Sequence, residues 1–520
     1  MSSKRIYLIA PLPTFGRETL VSDKVLHVDE RHTIIAAAGI VTVAAYFDDG
    51  FEIRLCDELI DDVDFDDPAE IVGISVNVAQ VRRGIEIARR FRSQGRTVIM
   101  GGAHVSLDPE AFHGEADCLV VGEFEAIAPQ VVADLQAGTL QPVYRGPQAD
   151  LAQTRIPRWD LYPNARAVSG VVQTSRGCPF ACNFCDVIEY LGRSQRHKPP
   201  ERVVEELQVL YDVGYRTIHL SDDNFTVYRR RTRGLLEALA SWNGRDGREP
   251  VQFFTQASID LAQDDELLAL CHEAGVREVF IGIETNNEDA LKESKKRQNL
   301  QHDLVEQCSR VVAAGIPVTS GMMVGFDSDD LDCFERQFAF GMSLPVVVLR
   351  VTVLVAPVAT PLYAQMKAEG RLVDDDSFDL LPGGSLLTNF MPRQMTREQL
   401  AEGAIWLIES LMEPENVIRR FQHFASLLKP SPPRLRRQRG PRLAAGASAM
   451  LKIIGKGAKD AGGRRVIEAV DALIKERREI AEDLSFALGN YMNTYISLKQ
   501  LRNDRSHAAP AYSLPARTSW

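Results

Sequence analysis

Apolar runs and amphipathic stretches alternate from the start of the chain. Residues 6–10, 52–55, 71–76, 97–100 and 118–121 are short and rich in Val, Ile and Leu, and they read as strands. Residues 34–46, 81–93 and 126–135 carry helical periodicity between them. This alternation predicts a parallel, doubly wound α/β sheet, which buries both of its faces. Ligands of such sheets sit at the carboxyl ends of the strands. Those ends carry Asp57, Ser75, Gly101, Gly102, Gly122 and Glu123.

Residues 146–170 contain Pro147, Pro157 and Pro163 with little periodicity, the pattern of a linker. A second series follows, with strand-like segments at 171–174, 217–220, 252–256, 278–283, 317–322 and 347–355. Each precedes a helical pattern; in 201–213, Val203, Val204, Leu207 and Leu210 fall on one face. Six βα units predict a partial (β/α)6 barrel, with its site again at the carboxyl ends. Helical patterning resumes at 397–411, 414–428 and 449–502. Between them, residues 429–442 hold six basic residues, four prolines and no acid. Such a run reads as a solvated linker, with contact to an anionic lipid surface or polyanion as the sharper alternative. The expected organisation is a Rossmann-like domain over 1–145, a linker over 146–170, a barrel over 171–385, a helical domain over 386–502 and a disordered tail over 503–520.

Composition narrows the class. The chain has 520 residues, 45% hydrophobic and 25% charged, with net charge 60 − 71 = −11. That is an ordinary globular mix for about three domains, and its acidity argues against nucleic-acid binding, which needs phosphate neutralisation. Five apolar residues after Met1-Ser-Ser-Lys-Arg are too few for a signal peptide. Residues 344–359 are interrupted by Arg350 and read as a buried strand, not a membrane span. A reducing cytoplasm is the expected compartment, since eight cysteines in such a long chain make no disulfide framework.

The sharpest chemical signal is Thr174-Ser-Arg-Gly-Cys178-Pro-Phe-Ala-Cys182-Asn-Phe-Cys185, on the loop after the first barrel strand. Four thiolates close a metal site, whereas three leave one position open. A Cys₃His zinc site with His197 is the structural alternative, although twelve residues separate His197 from Cys185, unlike common zinc pairs. Cys56, Cys118, Cys271, Cys308 and Cys333 stand alone and read as buried thiols.

Cys178-x₃-Cys182-x₂-Cys185 after a barrel strand resembles the signature of radical S-adenosylmethionine (SAM) enzymes. The resemblance implies a 4Fe–4S cluster on the three thiolates, SAM on the fourth iron, and reductive cleavage to methionine and a 5′-deoxyadenosyl radical. Neighbouring motifs fall where the family contacts SAM. They are Phe184 in the loop, Ser221, Asp222 and Asp223 in Leu220-Ser-Asp-Asp-Asn-Phe225, Ser258 past the third strand, Gly282 and Glu284 in Phe280-Ile-Gly-Ile-Glu284, and Met322 in Gly321-Met-Met-Val-Gly325. Glu284 matches the position that meets the ribose.

A doubly wound domain before such a barrel resembles the cobalamin-binding domain of one radical SAM subclass. The matching residues are Asp57, Ser75, Asn77, then Gly101, Gly102 and His104 in Val98-Ile-Met-Gly-Gly102-Ala-His104, then Gly122 and Glu123 in Val121-Gly-Glu-Phe-Glu125. A general Rossmann-like domain is the alternative, but no G-x-G-x-x-G follows the first strand. None of the ten histidines follows an aspartate by two residues, so an Asp-x-His-x-x-Gly histidine is not the lower cobalt ligand; residues 77–80 are the expected neighbours of that face. The subclass's Pro-Pro-x-Gly-Leu pattern is replaced by Ala37-Ala-Gly-Ile-Val41, and Val358-Ala359 replaces Pro-Gly. The helices from Met395 and Pro414 resemble the C-terminal extension of a branch that includes hopanoid C-methylases.

The resemblance implies methylation of an unactivated carbon through methylcobalamin. Radical oxidation, ring rearrangement or cyclisation without methyl transfer is the alternative, and a non-catalytic cobalamin-binding or zinc-stabilised protein is the alternative of another class. It further implies a small-molecule substrate (lipid-like, polycyclic or a biosynthetic intermediate), an electron donor such as flavodoxin or ferredoxin, and a monomer in the cytoplasm or at the membrane surface. No general acid or base is named, because the deoxyadenosyl radical abstracts the hydrogen.

Overall fold

The computed structural model describes residues 4–13, 31–47, 50–373, 386–436 and 454–505. Their strands are β1 (Lys4–Ala10), β2 (Thr33–Ile35), β3 (Phe51–Asp57), β4 (Ile71–Ser75), β5 (Thr97–Gly101), β6 (Cys118–Val121), β7 (Val143–Arg145), β8 (Ala167–Val172), β9 (Ser175–Arg176), β10 (Arg196–His197), β11 (Thr217–Leu220), β12 (Gln252–Ala257), β13 (Val276–Glu284), β14 (Val318–Val324) and β15 (Leu349–Val353). The first sheet has the order β3-β1-β4-β5-β6-β7, and every pairing in it is parallel. Its strand order reverses around β1 and β4, the place where open α/β sheets bind ligands.

The second sheet runs β15-β14-β13-β12-β11-β8-β2, again all parallel. Its edge strands β15 and β2 do not pair with each other, so the barrel stays open. Six of its strands are those the periodicity predicts. The seventh, β2, corrects the reading of 34–46 as one helix. Thr33, Ile34 and Ile35 are β-branched and extended, and Thr33 and Ile35 register against Ala167 and Ser169. Only Ala38–Ala44 is helical. The amino-terminal segment thus donates the edge strand of the second sheet.

The segment 146–170 also departs from a simple linker. It holds 3₁₀ turns at Leu151–Gln153, Trp159–Leu161 and Asn164–Arg166, and Trp159 is 1% exposed. Trp159 and Tyr162 belong to one core cluster that runs from β1 through the barrel into the C-terminal helices.

Those helices are Arg397–Met412, Pro414–Leu427, Ala461–Glu476 and Ala481–Arg505. The last lies across the amino ends of the barrel strands. Phe486 meets Phe254 at 5.1 Å between ring centroids, Asp483 pairs with Arg277, and Glu482 accepts from Gln252 at 2.6 Å. It extends to Arg505, into the expected tail. The first half of the basic run is packed as well. Leu435 is buried, and Arg434 donates to the Glu273 carbonyl and faces its carboxylate at 3.3 Å. Residues 437–442 and 506–520 lie outside the described set. Among the described residues no helix is long and apolar enough to cross a membrane.

Candidate active site

The cysteine loop leaves β8 and is held at its base by two aspartates. Asp222 accepts from the Thr174 and Ser175 amides at 2.7 and 2.9 Å, and Asp223 accepts from the Gly177 amide at 2.8 Å. Asp222 is 1% exposed and lies beneath the loop, whereas Asp223 stands beside Cys178. The short β9–β10 ladder and the Cys178 amide on the Gly192 carbonyl (3.2 Å) close the loop. Cys182 is buried, and Cys178 and Cys185 are half-buried. Burial, with the neighbouring thiols adding to it, raises the Cys178 thiol and pushes Cys185 up to about 12. A metal bound there would supply the charge that favours their thiolates.

The donor set fits an iron–sulfur cluster with one open iron. It does not fit the zinc alternative. His197 lies on β10, its ring edge-on to Tyr228 at 5.4 Å and beside Arg231 and Asp222 rather than the thiols.

Glu284 ends β13 at a register shift and adopts φ +62°, an uncommon conformation for a residue other than glycine. The turn is braced from below. Asn299 donates to the Gly282 and Ile283 carbonyls at 3.1 and 2.7 Å, and Gln337 donates to the Glu284 carbonyl at 3.0 Å. The Glu284 carboxylate pairs with Lys296. The absent Cβ of Gly282 leaves the space in which Glu284 Oε1 and Lys296 Nζ meet. Ser258 accepts from Asn224 Nδ2 at 3.1 Å and donates to Asp260. Met322 behaves differently: its sulfur lies near Gly341 of helix Cys333–Ser343, so its side chain points into the helix layer and only its backbone reaches the barrel mouth.

Between the first sheet and the barrel lies a cavity of about 340 Å³. One face of the first sheet forms its floor. There Gly73, Ser75 and Gly101 stand in register beside Leu8 and Ile99, so the middle of the sheet is paved with small residues. Helix Ala38–Ala44 covers it, and Gln173, Arg176, Ser221 and Lys198 reach in from the barrel. Ser75, Gly101, Gly102, Gly122 and Glu123 all line this space, as does Ser221.

Asp57, Asn77 and His104 do not. Asp57 is buried and accepts from the Tyr162 hydroxyl at 2.6 Å; Asn77 caps the 3₁₀ turn Val78–Gln80; His104 sits edge-on to Phe112 at 6.1 Å. Gly102 owes its identity to the fold itself, because at φ +105° its missing Cβ would meet the Val76 backbone at 2.6 Å.

Sequence reasoning missed the clasp across this cavity. Glu123 accepts from Arg176 at 2.6 Å and Arg196 at 2.9 Å, and Arg176 also pairs with Glu125. These side chains are at most 18% exposed. The pairing satisfies the Glu123 carboxylate, and with Arg196 it holds that group below the usual range against the opposing pull of burial. Lys198 and Glu206 form a second buried pair at the cavity wall. Arg176 and Glu125 stand inside the quoted motifs, but nothing in those motifs says that they meet.

The Radical SAM superfamily profile matches residues 172–340, and a domain of unknown function (DUF4070) matches residues 360–464. An uncharacterized methyltransferase of Synechocystis sp. is 32% identical over 434 residues, covering 82% of this chain and 80% of that protein. The hopanoid C-2 methylase of Rhodopseudomonas palustris is 29% identical over 453 residues, covering 83% and 82%. The radical SAM methyltransferase TsrM from Kitasatospora setae, solved with cobalamin and a [4Fe-4S] cluster, superposes with TM-score 0.61 at 17% identity, over 93% of this chain and 100% of that one. At that identity the likeness is one of fold.

Proposed function

The chain belongs to the radical SAM superfamily, and from that premise we propose that it is a cobalamin-dependent member that methylates an unactivated carbon of a small molecule. One observation carries the reading: the cavity floored by Ser75 and Gly101 is bordered across its width by Arg176 and Ser221, neighbours in space of the three-thiol loop. A corrinoid on the sheet face and SAM on the open iron would then meet in one enclosed gap. When bound, cluster, SAM and cobalamin supply the electron, the deoxyadenosyl radical and the methyl group.

The chain's own residues hold and enclose. Cys178, Cys182 and Cys185 ligate iron, Asp222 and Asp223 fix their loop, and Glu284 faces the nucleoside from its braced bulge. Ser75, Gly101 and Gly122 leave room for a bulky ligand. The Glu123–Arg176–Arg196 clasp seals the two halves and keeps water from a radical site. The named hopanoid methylase supports a polycyclic or lipid-like acceptor. A flavodoxin or ferredoxin donor, a monomeric chain and a cytoplasmic location, at the membrane surface for a lipid-like acceptor, complete the proposal.

The test is anaerobic reconstitution with iron, sulfide and cobalamin, followed by metal analysis, an absorption spectrum and assay of 5′-deoxyadenosine. About four irons and one corrinoid per chain are expected. Iron without corrinoid would remove the methylase reading, and zinc alone would remove the radical one.

A further inference from the structure

Lys296 is a buried cation with an unusual set of neighbours. Its ammonium and the Glu284 carboxylate are 11% and 9% exposed, and the Phe184 ring centroid, between two of the cysteines in sequence, is 5.9 Å from Nζ. Phe184 stands between Cys182 and Cys185, so the ammonium packs against the cysteine loop itself. Two residues on, Gln298 Nε2 donates to Cys182 Sγ at 3.8 Å. The segment is held in place. Lys295 turns through φ +58°, the Lys296 amide donates to the Leu291 carbonyl at 2.9 Å, and Asn299 is tied to β13. Gly282 yields the space that the Lys296–Glu284 pair fills.

The potential of an iron–sulfur cluster follows its charge, the hydrogen bonds to its sulfurs and its exposure. Reduction adds one electron to a group already ligated by three thiolates. A buried ammonium at its edge favours the reduced state, and so does an N–H aimed at a ligand sulfur. A carboxylate at the same distance does the opposite. We propose that Lys296 and Gln298 set the reduction potential of the cluster held by Cys178, Cys182 and Cys185, with Lys296 offsetting the charge that Glu284 must bring to the site. Neither residue touches the reacting atoms; both are positioning residues that act through the cluster and Glu284. The inference rests on the cluster reading above.

The test is a potentiometric titration of the anaerobically reconstituted full chain, followed by electron paramagnetic resonance of the reduced cluster. Lys296→Met is expected to lower the potential enough to cut the reduced-to-oxidised ratio about tenfold at fixed potential, which is ~59 mV for one electron. Lys296→Arg should restore it, Gln298→Leu should lower it by less, and Glu284→Gln should raise it. A Lys296→Met chain with full iron and an unmoved potential overturns the inference. Should that variant lose its iron, unmoved potentials in both Glu284→Gln and Gln298→Leu overturn it instead. A wild-type chain that takes up no iron overturns the cluster reading itself, which separates the two failures.

Discussion

The floor of the cavity and the mouth of the barrel face each other, yet they are built on opposite principles. The floor is nearly uncharged: Gly73, Ser75 and Gly101 present backbone and small side chains to the cavity beside apolar Leu8 and Ile99. The mouth is crowded with ionisable groups: Asp222 and Asp223 are satisfied by loop amides and Glu284 by Lys296, while the cysteines oppose one another's ionisation. Room suits a large neutral macrocycle with a long tail. Concentrated charge suits a metal cluster and a zwitterionic nucleoside. The difference teaches that a sheet face selects by shape, while a strand-end loop selects by charge and ligation.

The strongest way to break this comparison is to disable the mouth alone. Cys182→Ala should abolish cluster iron and all SAM cleavage while leaving corrinoid uptake, measured by iron content and absorption spectrum. Retained iron with retained cleavage would sink the assignment. Next in size is the clasp that joins the two regions. Arg176→Met leaves Glu123 and Glu125 buried with too few cations, and loss of one partner of a buried pair costs about 3–5 kcal/mol. Chemical denaturation should show that loss, with Arg176→Lys recovering part of it.

A third variant probes the far end of the same barrel. Burial pushes Glu278 up to about 7, against the pull of Arg350 and a hydrogen bond from Thr319. The folded chain therefore holds this proton more tightly than the unfolded chain. That contribution is complete below 4.5 and is lost as pH rises through 7. Glu278→Gln should flatten the pH dependence over that window and gain about 3 kcal/mol at its upper end, leaving iron and corrinoid content untouched; a variant with the wild-type stability profile would refute it. The smallest effect belongs to the floor. Gly101→Leu should weaken corrinoid binding about tenfold, or ~1.4 kcal/mol, with iron content unchanged. Equal loss of both cofactors would show that floor and mouth are not separable.

Much of this arrangement was legible in the chain. The six strands β8 and β11–β15 announce themselves as short runs rich in β-branched and aromatic residues between helical patterns, even where buried and exposed positions alternate as in β11, β12 and β15, and the cysteine spacing is local to one loop. β2 was not legible: three residues carry too little periodicity, and their partner in β8 lies far along the chain. Trp159 and Tyr162 look like linker residues in sequence but are fully packed. Asp57 illustrates the opposite error. An acid at a strand end resembles a ligand, whereas here the Tyr162 hydroxyl has claimed it.

The sequence by itself determined the class of fold, the three-thiol loop and the small residues at the strand ends, since each depends on residues near one another in the chain. Only the tertiary structure decided that Glu123 meets Arg176 and Arg196, that Met322 faces its helix, and that Lys296 pairs with Glu284 against Phe184. Ion pairs and side-chain directions of that kind are set by which surfaces pack together, and that packing is a property of the whole chain rather than of any motif within it.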